Sequence, residues 1–117
     1  MKTHSMPRRW LRLLALAVAL GLGPQAWADV DEGRAIAFDR SKGNCLACHS
    51  IEGGELPGTI GPPLLMMKAR FPEREVLFQR IWDQTEFNPS TVMPPFGRHR
   101  ILTDDEINKV VDFLYTL

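Results

Sequence analysis

The stretch Gly43-Asn44-Cys45-Leu46-Ala47-Cys48-His49 contains the only two cysteines of the 117-residue chain, with a histidine directly after the second. Two cysteines three residues apart on a helical turn lie on one side of the backbone. Their thiols can therefore add to the two vinyl groups on one edge of a haem. C-x-x-C-H is the attachment pattern of c-type haem. We predict one covalently bound haem c, attached through Cys45 and Cys48, with His49 as the proximal iron ligand.

Two other roles for this cysteine pair fit the sequence less well. A thiol redox pair of the thioredoxin type would be expected next to a βαβ pattern, which is missing here. A structural zinc ion normally takes four ligands. Once Cys45, Cys48 and His49 are used, the sequence downstream offers only His99, which is far away along the chain.

The second axial ligand of the iron has four candidates downstream, namely Met66, Met67, Met93 and His99. We favour Met93, because the segment from Thr91 to Gly97 around it is stiffened by two prolines. Met66 and Met67 follow two leucines, and a methionine in such a cluster is more often a core residue. His99 is flanked by two arginines, which favours the surface. A Met/His pair would raise the reduction potential relative to bis-His ligation, which suits an electron acceptor.

Groups that support the haem can also be proposed. A ligating histidine nearly always donates its other ring N–H to a carbonyl or carboxylate. The rigid turn Gly61-Pro62-Pro63-Leu64 makes the Pro62 carbonyl a candidate acceptor for His49, although a plain turn is the alternative. Trp82 could donate its indole N–H to a haem propionate or serve as a core residue beside Phe78.

The N-terminus has the pattern of a cleavable signal peptide. Four basic residues precede or border an apolar run at 11–22 that ends in Ala26-Trp27-Ala28. This run is shorter than the ~20 apolar residues that a membrane span needs. We predict cleavage after Ala28 and a periplasmic domain of residues 29–117, with no membrane span after cleavage.

The mature segment is one small acidic domain. Residues 1–28 hold four of the fourteen Lys and Arg and none of the fourteen Asp and Glu, so residues 29–117 have a formal charge of −4. A nucleic-acid partner would want a clustered basic face, so we expect none. A chain of this length buries a thin core and gains stability from a cofactor.

Helical patterns and loops predict an all-α, class I cytochrome c-like fold of three or four short helices with long loops. An acidic start predicts a first helix from Asp31 to about Lys42, ended by Gly43. Its small face at Gly33 and Ala37 would let the last helix cross it over the haem. Loops are expected at 52–63 and 88–97.

Two further helices are expected downstream. Pro72 at the first helical position predicts a second helix that ends near Gln84. The capping box Thr103-Asp104-Asp105-Glu106 opens the last helix. Its apolar stripe is formed by Ile107, Val110, Val111 and Leu114.

Taken together, these features resemble class I cytochromes c: a haem motif after an N-terminal helix, a Gly-Pro turn, a distal methionine loop and an amphipathic C-terminal helix. In detail, nearly the whole mature chain is similar to the SoxX family, the small monohaem subunits of sulfur-oxidising SoxAX cytochromes. The resemblance is carried by residues 43–49, Leu56-Pro57-Gly58, residues 60–64, Arg70-Phe71-Pro72, Ile81-Trp82-Asp83, Asn88-Pro89 and Val92-Met93-Pro94-Pro95-Phe96-Gly97.

The resemblance implies a periplasmic heterodimer with a SoxA-type cytochrome subunit. In such a complex thiosulfate is oxidatively joined to a cysteine of the SoxYZ carrier, an L-cysteine S-thiosulfotransferase reaction, and electrons leave through haem to a downstream cytochrome c. The resemblance assigns Cys45 and Cys48 to attachment, His49 to the proximal position and Met93 to the distal one. With no third cysteine, this chain is expected to receive electrons and not to be catalytic alone.

Two other functions remain open from the sequence. A freely diffusing periplasmic electron carrier would share the haem chemistry and meet its partners briefly through a charged rim. A haem enzyme or gas sensor would instead have an open distal site.

Overall fold

The computed structural model describes residues 25–117, which form an all-α fold. The four α-helices are α1 (Gln25–Phe38), α2 (Met67–Arg70), α3 (Arg74–Trp82) and α4 (Asp104–Leu114), with 3-10 turns at Cys45–Ala47 and Gln84–Glu86. The β-structure in this part of the chain is an isolated parallel bridge between Ile51 and Leu64. The predicted fold class is therefore confirmed. The predicted signal peptide lies outside the described residues except for its last four, and no helix in residues 25–117 has the length and apolar character of a membrane span.

Helix α4 forms as its sequence predicts. Thr103 Oγ1 accepts a hydrogen bond from the Glu106 backbone N–H at 3.2 Å, and Glu106 Oε2 accepts one from the Thr103 N–H at 2.9 Å. This reciprocal pair satisfies two backbone donors that a helix start leaves free. One face of α4 is buried in the core through Ile107, Val110, Val111, Phe113 and Leu114.

Helices α1 and α4 pack closely against each other. A Cβ added at Gly33 would lie 1.9 Å from the Lys109 carbonyl oxygen, so only glycine allows this approach. Ala37 is fully buried in the same interface. Lys109 adds ion pairs to Glu32 and Asp105, both at 2.9 Å. The predicted contact between the first and last helices is confirmed.

The predicted bounds of the first helix were wrong at both ends. Helix α1 already includes Gln25, the first described residue, and ends at Phe38, four residues before Lys42. The carboxylate of Asp39 accepts hydrogen bonds from the Ser41 N–H at 2.7 Å and the Ser41 hydroxyl at 2.6 Å. Such local bonds compete with the helix. Gly43 is therefore not its cap, and its N–H donates to the Ile36 carbonyl at 3.1 Å.

The second predicted helix is shorter than expected. Pro72 is not its first residue, because Glu73 has an extended backbone and α3 starts at Arg74. Asp83 is also extended and ends α3 at Trp82, before the expected end at Gln84. The short α2 was missed, since four residues are too few for a periodic pattern.

Candidate haem site

The C-x-x-C-H segment folds into a single tight turn. The N–H groups of Cys48 and His49 both donate to the Cys45 carbonyl, at 3.2 and 2.9 Å. In a 3-10 turn, residues i and i+3 lie one above the other, which places Cys45 and Cys48 on the same side. Both cysteines are half-buried and are not joined to each other by a disulfide. Two thiols on one side of a turn are what attachment to one haem edge requires.

The alternative roles of the cysteines gain no support from this geometry. Burial raises the pKa of the Cys45 thiol to about 11, whereas the attacking cysteine of a thiol redox pair has a lowered pKa. Within residues 25–117, no group of three or more His, Cys, Asp or Glu side chains is arranged to hold a metal ion.

The loop at 53–63 folds back onto the cysteine turn and supports His49. The N–H of Gly58 donates to the Leu46 carbonyl at 2.7 Å, and the N–H of Gly61 donates to the Cys48 carbonyl at 2.8 Å. These bonds bring the Pro62 carbonyl oxygen to 2.6 Å from His49 Nδ1. A carbonyl only accepts, so Nδ1 carries the ring hydrogen and Nε2 keeps its lone pair for a metal.

Gly61 also fixes the position of the histidine ring. A Cβ at this residue would lie 2.3 Å from Cε1 and 2.6 Å from Nδ1 of His49. The backbone at Gly61 therefore packs directly against the imidazole and leaves no room for a Cβ. This contact could not be derived from the sequence, because a Gly-Pro pair also occurs in ordinary turns.

The four candidates for the distal ligand lie in different environments. Met67 is 2% exposed in the core, with its sulfur 3.5 Å from Arg70 Nη1. Met66 is 62% exposed and His99 is also exposed. Met93 is half-buried against the core, and its N–H donates to the Thr91 hydroxyl at 3.1 Å. Among the four, Met93 combines partial burial with a position in a proline-stiffened loop.

Two residues of α3 have surroundings that the sequence did not indicate. The indole N–H of Trp82 donates to Asp104 Oδ1 at 3.2 Å, so it already has a partner in the chain. Arg80 was missed, since an arginine on a helix usually faces solvent. Its guanidinium lies 4.3 Å from the centre of the Phe87 ring, and its Nε is buried without a hydrogen-bond partner among the described residues.

These residues fit a covalently attached haem. The paired thiols would hold its edge, His49 Nε2 offers a lone pair to the iron, and the unpaired Arg80 Nε suits a propionate carboxylate. The fold and the site thus define a c-type haem protein.

Comparison with known proteins gives the family. The cytochrome c family profile matches residues 30–117. The chain belongs to the cytochrome c family, as a class I c-type cytochrome that carries covalently bound haem c and transfers electrons. It is also similar to an uncharacterized lipoprotein of Aquifex aeolicus (strain VF5), with 33% identity over 75 residues. The match covers 63% of this chain and 36% of that protein, so the chain spans about a third of its relative's length.

Proposed function

We propose that this cytochrome is the monohaem electron-transfer subunit of a periplasmic SoxAX-type complex in thiosulfate oxidation. Cys45 and Cys48 attach one haem, and His49 and Met93 are its axial ligands. The observation that carries the relay function is the His49–Pro62 contact at 2.6 Å, because it presents a fixed Nε2 lone pair to the iron. Haem bound in this way takes up and releases single electrons.

The amino-acid composition supports a role as electron acceptor and not as the catalytic subunit. Both cysteines of the chain are used for attachment, so no thiolate remains to ligate a haem or to hold a sulfur intermediate. The partner subunit would supply that thiolate, and SoxYZ the cysteine that receives thiosulfate. Electrons released there would leave through this haem to a downstream cytochrome c.

Exposed apolar side chains lie next to the haem motif, where the haem edge and a partner subunit together would cover them. Leu56 is 94% exposed and Ile60 70% exposed, and both belong to the loop that is bonded to the cysteine turn. Leu65 and Met66 follow at 50% and 62%. Exposed apolar residues grouped along one segment are typical of interaction sites. We name residues 56, 60, 65 and 66 the apolar segment.

Co-expression with a SoxA-type subunit and the haem-maturation machinery tests this function. We expect a heterodimer in which this haem is reduced by thiosulfate when SoxYZ is present, and no reduction of the cytochrome alone. Ile60→Asp should weaken the heterodimer, because it places a charge in the apolar segment. Ile101→Asp is the control, since it makes the same change at an isoleucine that is 42% exposed outside that segment.

The same experiment can overturn the proposal. A protein that stays monomeric with every SoxA-type partner, and that exchanges electrons quickly and salt-dependently with several redox proteins, would be a freely diffusing carrier. Equal loss of the heterodimer in both variants would remove the apolar segment as the interface.

A further inference from the structure

Asp83 is a charged side chain buried within the described part of the chain, at 1% exposure. Taking a carboxylate out of water is costly unless it is paired and hydrogen-bonded. Asp83 follows α3 directly and precedes the loop that contains Met93. We name residues 88–97 the distal loop. The hydrogen-bond and ion-pair partners of Asp83 lie at the two ends of this loop.

One oxygen of Asp83 fixes the start of the distal loop. Oδ1 accepts hydrogen bonds from the Thr85 N–H at 3.0 Å and from the Thr85 hydroxyl at 2.5 Å. These bonds cap the 3-10 turn Gln84–Glu86. The Asn88 N–H, at the first residue of the loop, then donates to the Gln84 carbonyl at 2.9 Å.

The other oxygen of Asp83 fixes the end of the same loop. Oδ2 lies 2.8 Å from Arg98 Nη1, an ion pair between a buried carboxylate and a half-exposed arginine that is electrostatic and lacks the alignment of a hydrogen bond. The backbone N–H groups of Gly97 and Arg98 both donate to the Trp82 carbonyl, at 3.1 and 3.3 Å. The residue after the loop is thus held against the last residue of α3.

We propose that Asp83 is a positioning residue that joins both ends of the distal loop and thereby keeps the Met93 sulfur on the haem iron. This inference rests on the proposed function, in which Met93 is the ligand. A loop fixed at both ends has fewer conformations than one fixed at a single end. Fewer of those conformations carry Met93 away from the iron. The Met93 sulfur therefore dissociates from the iron more slowly and binds it more tightly.

Cyanide binding to the ferric haem measures this effect, because cyanide must displace the distal ligand. Asp83→Asn keeps an acceptor for Thr85 but turns an amide N–H toward Arg98, so it releases the end of the loop. We expect cyanide to bind about tenfold faster, because removing the charge of one partner of a buried ion pair is costly. The sulfur-to-iron charge-transfer band should weaken, while the helical circular dichroism is retained. The variant Arg98→Lys keeps the positive charge, so it should retain more of the sulfur-to-iron charge-transfer band than the variant Arg98→Gln.

Asp112→Asn is a control for Asp83→Asn at a more exposed aspartate, whose side chain is 40% exposed. Asp112 Oδ1 lies 3.1 Å from Arg74 Nη1, an aspartate–arginine pair that joins α3 to α4 and does not involve the distal loop. We expect this variant to change the free energy of unfolding at most, with the cyanide rate and the charge-transfer band unchanged. If Asp83 acted only through general stability, Asp83→Asn would lower the free energy of unfolding but leave the cyanide rate and the charge-transfer band unchanged.

Two results distinguish a wrong role for Asp83 from a wrong assignment of Met93 as the iron ligand. If Asp83→Asn does not retain haem, Arg98→Gln tests the same contact from its half-exposed side. Wild-type cyanide rates and an intact band in Arg98→Gln would overturn the positioning role of Asp83. A wild-type protein without a sulfur band would instead overturn Met93 as ligand.

Discussion

At the scale of single residues, the two nitrogens of His49 have different tasks. Nδ1 is bonded to the Pro62 carbonyl at 2.6 Å, which leaves Nε2 free for the iron. A hydrogen bond from the far nitrogen fixes the tautomer and makes the ligating nitrogen more basic. The proximal side is therefore defined by one side chain and one backbone carbonyl.

The first prediction concerns the distal side. Met93→Ala should abolish the sulfur-to-iron charge-transfer band and lower the reduction potential, because a thioether ligand stabilises ferrous haem relative to harder ligands. Visible spectroscopy and redox titration measure both changes. Val92→Ala is the control, since Val92 lies in the same loop and is 75% exposed. An unchanged low-spin spectrum in Met93→Ala would return the role to His99, Met66 or Met67.

The second prediction concerns the turn behind His49. Gly61→Ala places a methyl group 2.3 Å from His49 Cε1, so either the ring or the turn must move. We expect a lower yield of haem-loaded protein and a shifted reduction potential, because the His49–Pro62 bond is lengthened or lost. Thr59→Ala, an exposed change in the same loop, should leave both properties near wild type. Equal yields and potentials for Gly61→Ala would contradict the close contact.

At the scale of secondary-structure elements, Glu106 links the start of α4 to the turn after α1. Its carboxylate accepts hydrogen bonds from the Lys42 ammonium group and from the Thr103 N–H, and these bonds lower its pKa, with Lys42 as the largest cause. A carboxylate with a lowered pKa stabilises the fold above its unfolded pKa of about 4.3. This contribution is lost as the pH falls through the lower pKa of the folded state.

The third prediction follows from the lowered pKa of Glu106. Glu106→Gln should have a lower free energy of unfolding than wild type at pH 7, by up to about 1 kcal/mol for the lost ion pair with Lys42, because glutamine keeps the capping-box hydrogen bond. The two proteins should converge in stability as the pH falls below about 4, where the glutamate is protonated. Urea titrations at several pH values measure the difference. A gap that stays constant to pH 3 would mean that the charge of Glu106 contributes nothing.

The sequence predicted helices and helix ends correctly where a pattern of neighbouring residues determines them. The capping box at Thr103 and the stripe of α4 are local, and both are present. The end of α1 depends instead on the competing bonds of Asp39, and Gly43 was misread because a glycine after a helix usually ends it. Likewise, the buried position of Asp83 follows from Arg98, fifteen residues later, which no local pattern shows. The Asp83-Gln84-Thr85 spacing, an N-cap signature, was the available signal.

The haem site likewise has features that the local sequence predicts and features that depend on tertiary contacts. The positions of Cys45, Cys48 and His49 within one turn follow from their spacing. The contact between Gly61 and the His49 ring and the unpaired Arg80 Nε are tertiary features, so the sequence could not give them. The roles of Cys45, Cys48, His49 and Met93 at a bound haem stay predictions until a spectrum is measured.

At the scale of the whole molecule, long loops cover a small core. The segment between the cysteine turn and α2 has no regular element beyond the single bridge of Ile51 to Leu64. Loops of this length are ordered by what they enclose, and a covalent haem supplies that apolar centre.

The fourth prediction tests this dependence on the cofactor. Protein produced without haem-maturation machinery, or as the double variant Cys45→Ala and Cys48→Ala, should keep part of its helical circular dichroism but lose its near-ultraviolet signal. Hydrogen exchange should be fast in residues 50–66 and slowest in α4, whose core face packs on α1. Native-like protection throughout would mean that the chain orders its loops by itself.

The packing of Gly33 against Lys109 also has a consequence for the time course of folding. It joins the first to the last of the helices in residues 25–117, so the core cannot close until these two distant segments have met. Contacts between distant parts of a chain form slowly, because the intervening segment must first be brought together. During that interval we expect the Cys45–His49 segment to be more accessible than in the folded protein, so that the attachment machinery can reach both thiols.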